Sequence, residues 1–126
     1  MKKLAAFALS LMLCLPLIGC TAKTITFDIG RASRIELTSG STGDTVEIAD
    51  EAAVRHITDN INALTFTDEG KCDFDGWSYS VRWMDAHGNA MISITLLGSG
   101  RAVIGDRCYS VSGGSVDLEF IRKQFG

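Results

Sequence analysis

Trp77-Ser78-Tyr79-Ser80-Val81-Arg82-Trp83 is the stretch on which the fold turns. In an extended chain Trp77, Tyr79, Val81 and Trp83 fall on one side, and Ser78, Ser80 and Arg82 on the other. That period of two marks a strand with one buried and one wetted face. Downstream, Asp85 to Asn89 has turn composition, and Ile92, Ile94 and Leu96 then alternate with polar residues in the same way. Gly98-Ser99-Gly100 leads to Ala102 to Ile104, and the two-residue Gly105-Asp106 loop leads to Cys108 to Val111. Strands joined by such short turns form an antiparallel meander.

Upstream, three runs show the same alternation: Ile25, Phe27 and Ile29; Ile35 and Leu37; Val46 and Ile48. Ser39 to Gly43 joins the last two as a hairpin. Asp50 predicts an N-cap for a helix whose apolar face is Val54, Ile57, Ile61 and Leu64, ending near Leu64 and before Phe66. At the other end of the chain Ser115 reads as the cap of a short helix, with Asp117 in its first turn and Leu118, Ile121 and Phe125 on one face. The expected fold is α+β: an antiparallel sheet, composed of a hairpin, a helix, a four- to five-stranded meander and a C-terminal helix, with the helices on one face.

The start of the chain concerns location. Lys2 and Lys3 precede an apolar run from Leu4 to Ile18, the layout of a secretory signal and too short to span a bilayer comfortably. Leu17-Ile18-Gly19-Cys20 resembles the lipobox of bacterial lipoproteins. The resemblance implies that residues 1–19 are removed, that Cys20 receives a diacylglycerol on its sulfur, and that two acyl chains hold the protein to the membrane. The expected organisation is therefore a signal at 1–19, an anchor and short linker at 20–23, and one globular domain at 24–126. The localisation that follows is the cell membrane, facing outside the cytoplasm.

Loss of residues 1–19 leaves 107 of 126 residues, enough for one small domain. Lys2 and Lys3 leave with them, so 10 basic side chains face 15 acidic ones, a net charge of −5. That balance argues against a nucleic-acid partner and against adhesion to anionic lipid by charge, and leaves attachment to the anchor on Cys20.

Of four cysteines, Cys14 goes with the signal and Cys20 with the lipid. Cys72 and Cys108 remain as an even pair in an oxidising setting, and a bridge between them is expected to pin the loop before the Trp77 strand to the sheet. Two free thiols or a redox or metal pair are the alternatives, and the last lacks a Cys-x-x-Cys spacing.

Chemistry-bearing motifs fail on inspection. Asp68, Glu69, Asp73 and Asp75 suggest ligand or ion capture in an acidic loop from Asp68 to Asp75. Set as a calcium loop, however, the run places Lys71 and Arg82 where carboxylates are required. His56 and His87 stand in no catalytic motif, Gly76-Trp77-Ser78-Tyr79-Ser80 lacks the closing glycine of a nucleophile elbow, and neither glycine-rich turn matches a phosphate or dinucleotide fingerprint. No catalytic residue, metal or cofactor is expected.

What remains is a surface. Ser78, Ser80, Arg82, Ser93 and Thr95 share the polar side of the strands, and Arg101 and Arg107 lie toward its edge. Trp77 at the strand end is a further candidate for stacking on a sugar or peptide. The run from Ile35 through Thr38-Ser39-Gly40-Ser41-Thr42-Gly43 to Ile48, with Gly76-Trp77-x-Tyr79 and Cys108-Tyr109-x-Val111, resembles small lipoproteins of Gram-positive gut bacteria, whose domain has no assigned function. The leading expectation is a membrane-anchored, non-enzymatic binding module of the cell envelope, its partner an envelope or extracellular protein or a small ligand. A small envelope enzyme or enzyme inhibitor is the alternative.

Overall fold

A computed structural model describes residues 23–126. The signal expected at 1–19 and the expected lipid site Cys20 lie outside the described residues. Eight strands form one antiparallel sheet: β1 (Thr24–Thr26), β2 (Arg34–Ser39), β3 (Thr45–Ile48), β4 (Thr65–Lys71), β5 (Tyr79–Met84), β6 (Ala90–Leu96), β7 (Arg101–Ile104) and β8 (Arg107–Ser112). Their spatial order is β1-β4-β8-β7-β6-β5-β2-β3. Helices α1 (Glu51–Asn62) and α2 (Leu118–Lys123) share one face. The architecture is the expected α+β one. The sheet is larger than four to five strands because the β2–β3 hairpin adds to β5 on one side of the β5–β8 meander, and β4 and β1 add to β8 on the other.

The core forms where the inward residues of the sheet meet the apolar stripe of α1. Ile35, Leu37, Val81, Trp83, Ile94 and Leu96 are buried against Val54, Ile57 and Ile61, with Ile121 of α2 beside them. Trp83 is fully buried, so its ring N–H needs a partner. Nε1 donates to Thr58 Oγ1 at 2.9 Å, and that hydroxyl donates to the Val54 carbonyl at 2.7 Å, so no polar group is stranded.

Asp50 caps α1 as expected, accepting from the Ala53 amide at 2.9 Å. The cap of α2 is Asp117 rather than Ser115, and its carboxylate accepts from the Phe120 amide at 3.1 Å. Asn60 causes the difference. Its side chain bonds both the Ser115 carbonyl and the Asp117 amide, tying this segment to α1 and letting the helix begin only afterwards.

Three more expectations are corrected. Ile25, Phe27 and Ile29 do not form one strand: only Thr24–Thr26 pairs, and it pairs with β4. Phe27 packs edge-on against Phe66, and the Asn62 side chain holds both the amide and the carbonyl of Ile29, so packing beside α1 explains the alternation there. Thr65 to Lys71 is a strand, not the start of an acidic loop. Its register shifts between Asp68 and Gly70, and Gly70, with φ of 102°, takes a backbone shape that a side chain would strain. Trp77 and Ser78 precede β5 instead of opening it.

The last correction follows from topology. β4 and β5 run parallel with three strands between them, and β4 ends beside Arg107 while β5 begins beside Leu96, at the opposite end of the sheet. The connection from Cys72 to Ser78 therefore travels the length of the sheet, and it does so on the face away from the helices. Cys72 is bonded to Cys108 there, with Cα atoms 4.8 Å apart. Val103 and Cys108 pair in register on this outer face and are still 7% and 4% exposed. The segment arrives over Gly40, where an added Cβ would lie 1.9 Å from the Trp77 carbonyl oxygen. Only glycine permits that approach.

Candidate functional site

Strand register assembles the outer face. One row across β6, β5, β2 and β3 is Thr95, Ser80, Thr38 and Thr45, and the next is Ser93, Arg82, Glu36 and Glu47. Ser80, Arg82, Ser93 and Thr95 are thus brought together as the alternation implies. Ser78 sits apart from them, half-buried, at the end of the connecting segment.

Sequence reading missed the other half of the surface. Glu36, Thr38, Thr45 and Glu47 occupy the polar positions of the first hairpin, and the signal for them was the same alternation that marked Ile35, Leu37, Val46 and Ile48. Nothing local announced that β2 pairs with β5, which is a contact between segments some 45 residues apart in the chain.

The charges on this face are matched. Arg34 Nη1 donates to Glu47 Oε1 at 3.0 Å, Arg82 lies 3.7 Å from Glu36, and the Thr38 and Thr45 hydroxyls bond at 3.1 Å. Arg82, Ser93, Thr45 and Glu47 are exposed, and neither helix covers them. The result is an open, hydroxylated surface bearing paired charges, able to offer both donors and acceptors to a partner.

Under the connecting segment the same face is closed. On the helix side of β4 and β8, where Asp68 stands opposite the buried Tyr109, Arg107 Nε donates to Asp68 Oδ2 at 2.7 Å, so Arg107 does not edge the polar face as expected. This bond, with one from the Gly70 amide, holds the Asp68 carboxyl below its ordinary range. Arg101 pairs with Glu69 at 3.4 Å. Asp68 and Glu69 are therefore spoken for by arginines on strands, while Asp73 and Asp75 lie in the connection with Phe74, Trp77 and Arg101 around a cleft of about 560 Å³. Among the described residues no group of three or more His, Cys, Asp or Glu side chains is placed to hold a metal ion.

The histidines have structural neighbours. His56 Nε2 is 2.9 Å from Asp117 Oδ2, and its ring stacks on Phe120 with centroids 3.9 Å apart, so it fastens α2 to α1. The same contact, followed by the Phe120 amide, lowers the Asp117 carboxyl. His87 lies in the β5–β6 turn, where Asp85 Oδ1 accepts from the amides of His87 and Asn89. A larger groove of about 970 Å³ runs between Ile29–Ser33 and α1, with Arg31 at its rim and the Arg55–Glu51 pair along it.

Comparison with protein-family models, curated proteins and solved structures returns no match. No described helix is long and apolar enough to cross a membrane.

Proposed function

We propose that this chain is a membrane-anchored, extracytoplasmic lipoprotein that acts as a non-enzymatic binding module of the cell envelope, held by lipid on Cys20. The partner meets the outer face of β6, β5, β2 and β3. The observation that carries this reading is a sheet face of four adjacent strands left uncovered by either helix, with its arginines already balanced by carboxylates. Such a surface can dock a polar partner without desolvating a lone charge, which is the costly event at an interface.

The test is a comparison of recovery. A partner crosslinked to the intact protein on its own membranes should be lost with Arg82→Glu combined with Ser93→Arg, and kept with Arg122→Glu, a surface change on α2. Equal recovery from both variants sinks the outer-face reading. Membrane retention and normal processing of Cys20→Ser would remove the anchor.

A further inference from the structure

We infer that the domain stands on the bilayer with one defined end down: the end bearing Lys23, Lys71 and the Gly105–Asp106 turn. The inference rests on the anchor reading of Cys20, and the lipid surface is the occupant it assigns to this end. Three residue steps separate Cys20 from Lys23, at most about 11 Å of extended chain. The chain does not wander once it reaches Lys23, because the Lys23 carbonyl accepts from the Asp68 amide at 2.8 Å and Thr24 is in register with Thr67. β1 therefore enters the sheet pointing away from the end where Lys71 pairs with Arg107 and β7 turns into β8.

The seat carries both signs of charge, with Asp106 in its turn and Asp68, beside Lys23, paired with Arg107. Although the mature chain is acidic, two of the three lysines after residue 20 lie here, Lys23 and Lys71, both exposed. Their ammonium groups can reach lipid phosphates while the acyl chains supply the affinity. Lys123 is the counter-marker. It is exposed on α2, two residues before Phe125, whose ring lies 5.6 Å from that of Tyr79 at the opposite end of β5. Pointing away from the bilayer are the turns at Ser39–Asp44 and Leu97–Arg101, with Trp77 over Gly40. The open rows of the outer face then rise from the membrane rather than lying against it.

Native lysines make the test. The full-length lipidated protein is added to preformed phosphatidylcholine vesicles, floated, acetylated with an amine-reactive ester, and read by mass spectrometry beside the Cys20→Ser protein in buffer. Lys23 and Lys71 should each label several-fold less on vesicles, with Lys123 unchanged. Protection of Lys23 alone, of Lys123, or of all three equally overturns the orientation. Failure to float is a different result: it removes the anchor, and the seat with it.

Discussion

The two halves of the sheet share one inner layer and differ in what lies above. Over β6, β5, β2 and β3 the outer face is open, and Arg82 and Ser93 meet water. Over β7 and β8 the Cys72–Ser78 connection closes it, so that Val103 is buried although its position in the alternation is that of a surface residue. Period-two patterning thus assigns residues to faces, and the path of a distant connection decides whether a face is wet. In a domain this small the covered half also gains a cross-link, and the open half is left to solvent.

The largest effect should come from beneath the open half. Trp83→Ala removes a fully buried indole and is expected to lower stability by about 3–5 kcal/mol in equilibrium urea denaturation. Next is the clasp of the closed half. Replacing Cys72 and Cys108 by Ala, or reducing the bridge, frees a separation of 36 residues and should cost at most about 4 kcal/mol. The comparison sharpens if amide exchange rises first in β7 and β8 while β2 and β5 stay protected. Uniform loss across the sheet would mean that the halves do not open separately.

A smaller effect lies on the acid side. The Asp68 carboxyl is depressed in the folded protein, first by the Arg107 bond, so its contribution is present above the ordinary carboxylate range and is lost as pH falls below about 4. Asp68→Asn should flatten stability against pH in that window. An unchanged acid slope would show that the Arg107 pair contributes nothing there. Smallest of all is Arg82→Ala on the open half, expected to cost less than about 1 kcal/mol because its partner Glu36 stays hydrated. A loss exceeding that of Trp83→Ala would invert the faces.

Residues 79–84, 92–96 and 108–111 show why part of the fold was legible: alternation is local, and it reports the inner and outer sides of each strand without knowledge of its neighbours. The α1 cap was legible for the same reason, since Asp50 acts on an amide three residues away. β4 was not. Thr65-Phe66-Thr67-Asp68-Glu69-Gly70-Lys71 has one large apolar residue, and pairing on both sides, with β1 and β8, makes it a strand.

By itself, then, the sequence determined which residues could be core and where the hairpin and first helix begin. The tertiary structure decided that β2 lies beside β5, that Asn60 moves the second helix cap to Asp117, and that Cys72 to Ser78 crosses the outer face. Those outcomes depend on strand order and on groups 36 to 57 residues apart. No local period encodes strand adjacency, because every antiparallel pairing satisfies the same alternation. The surface proposed for binding was therefore half visible, as Ser80, Arg82, Ser93 and Thr95, and completed only when Glu36, Thr38, Thr45 and Glu47 were brought alongside.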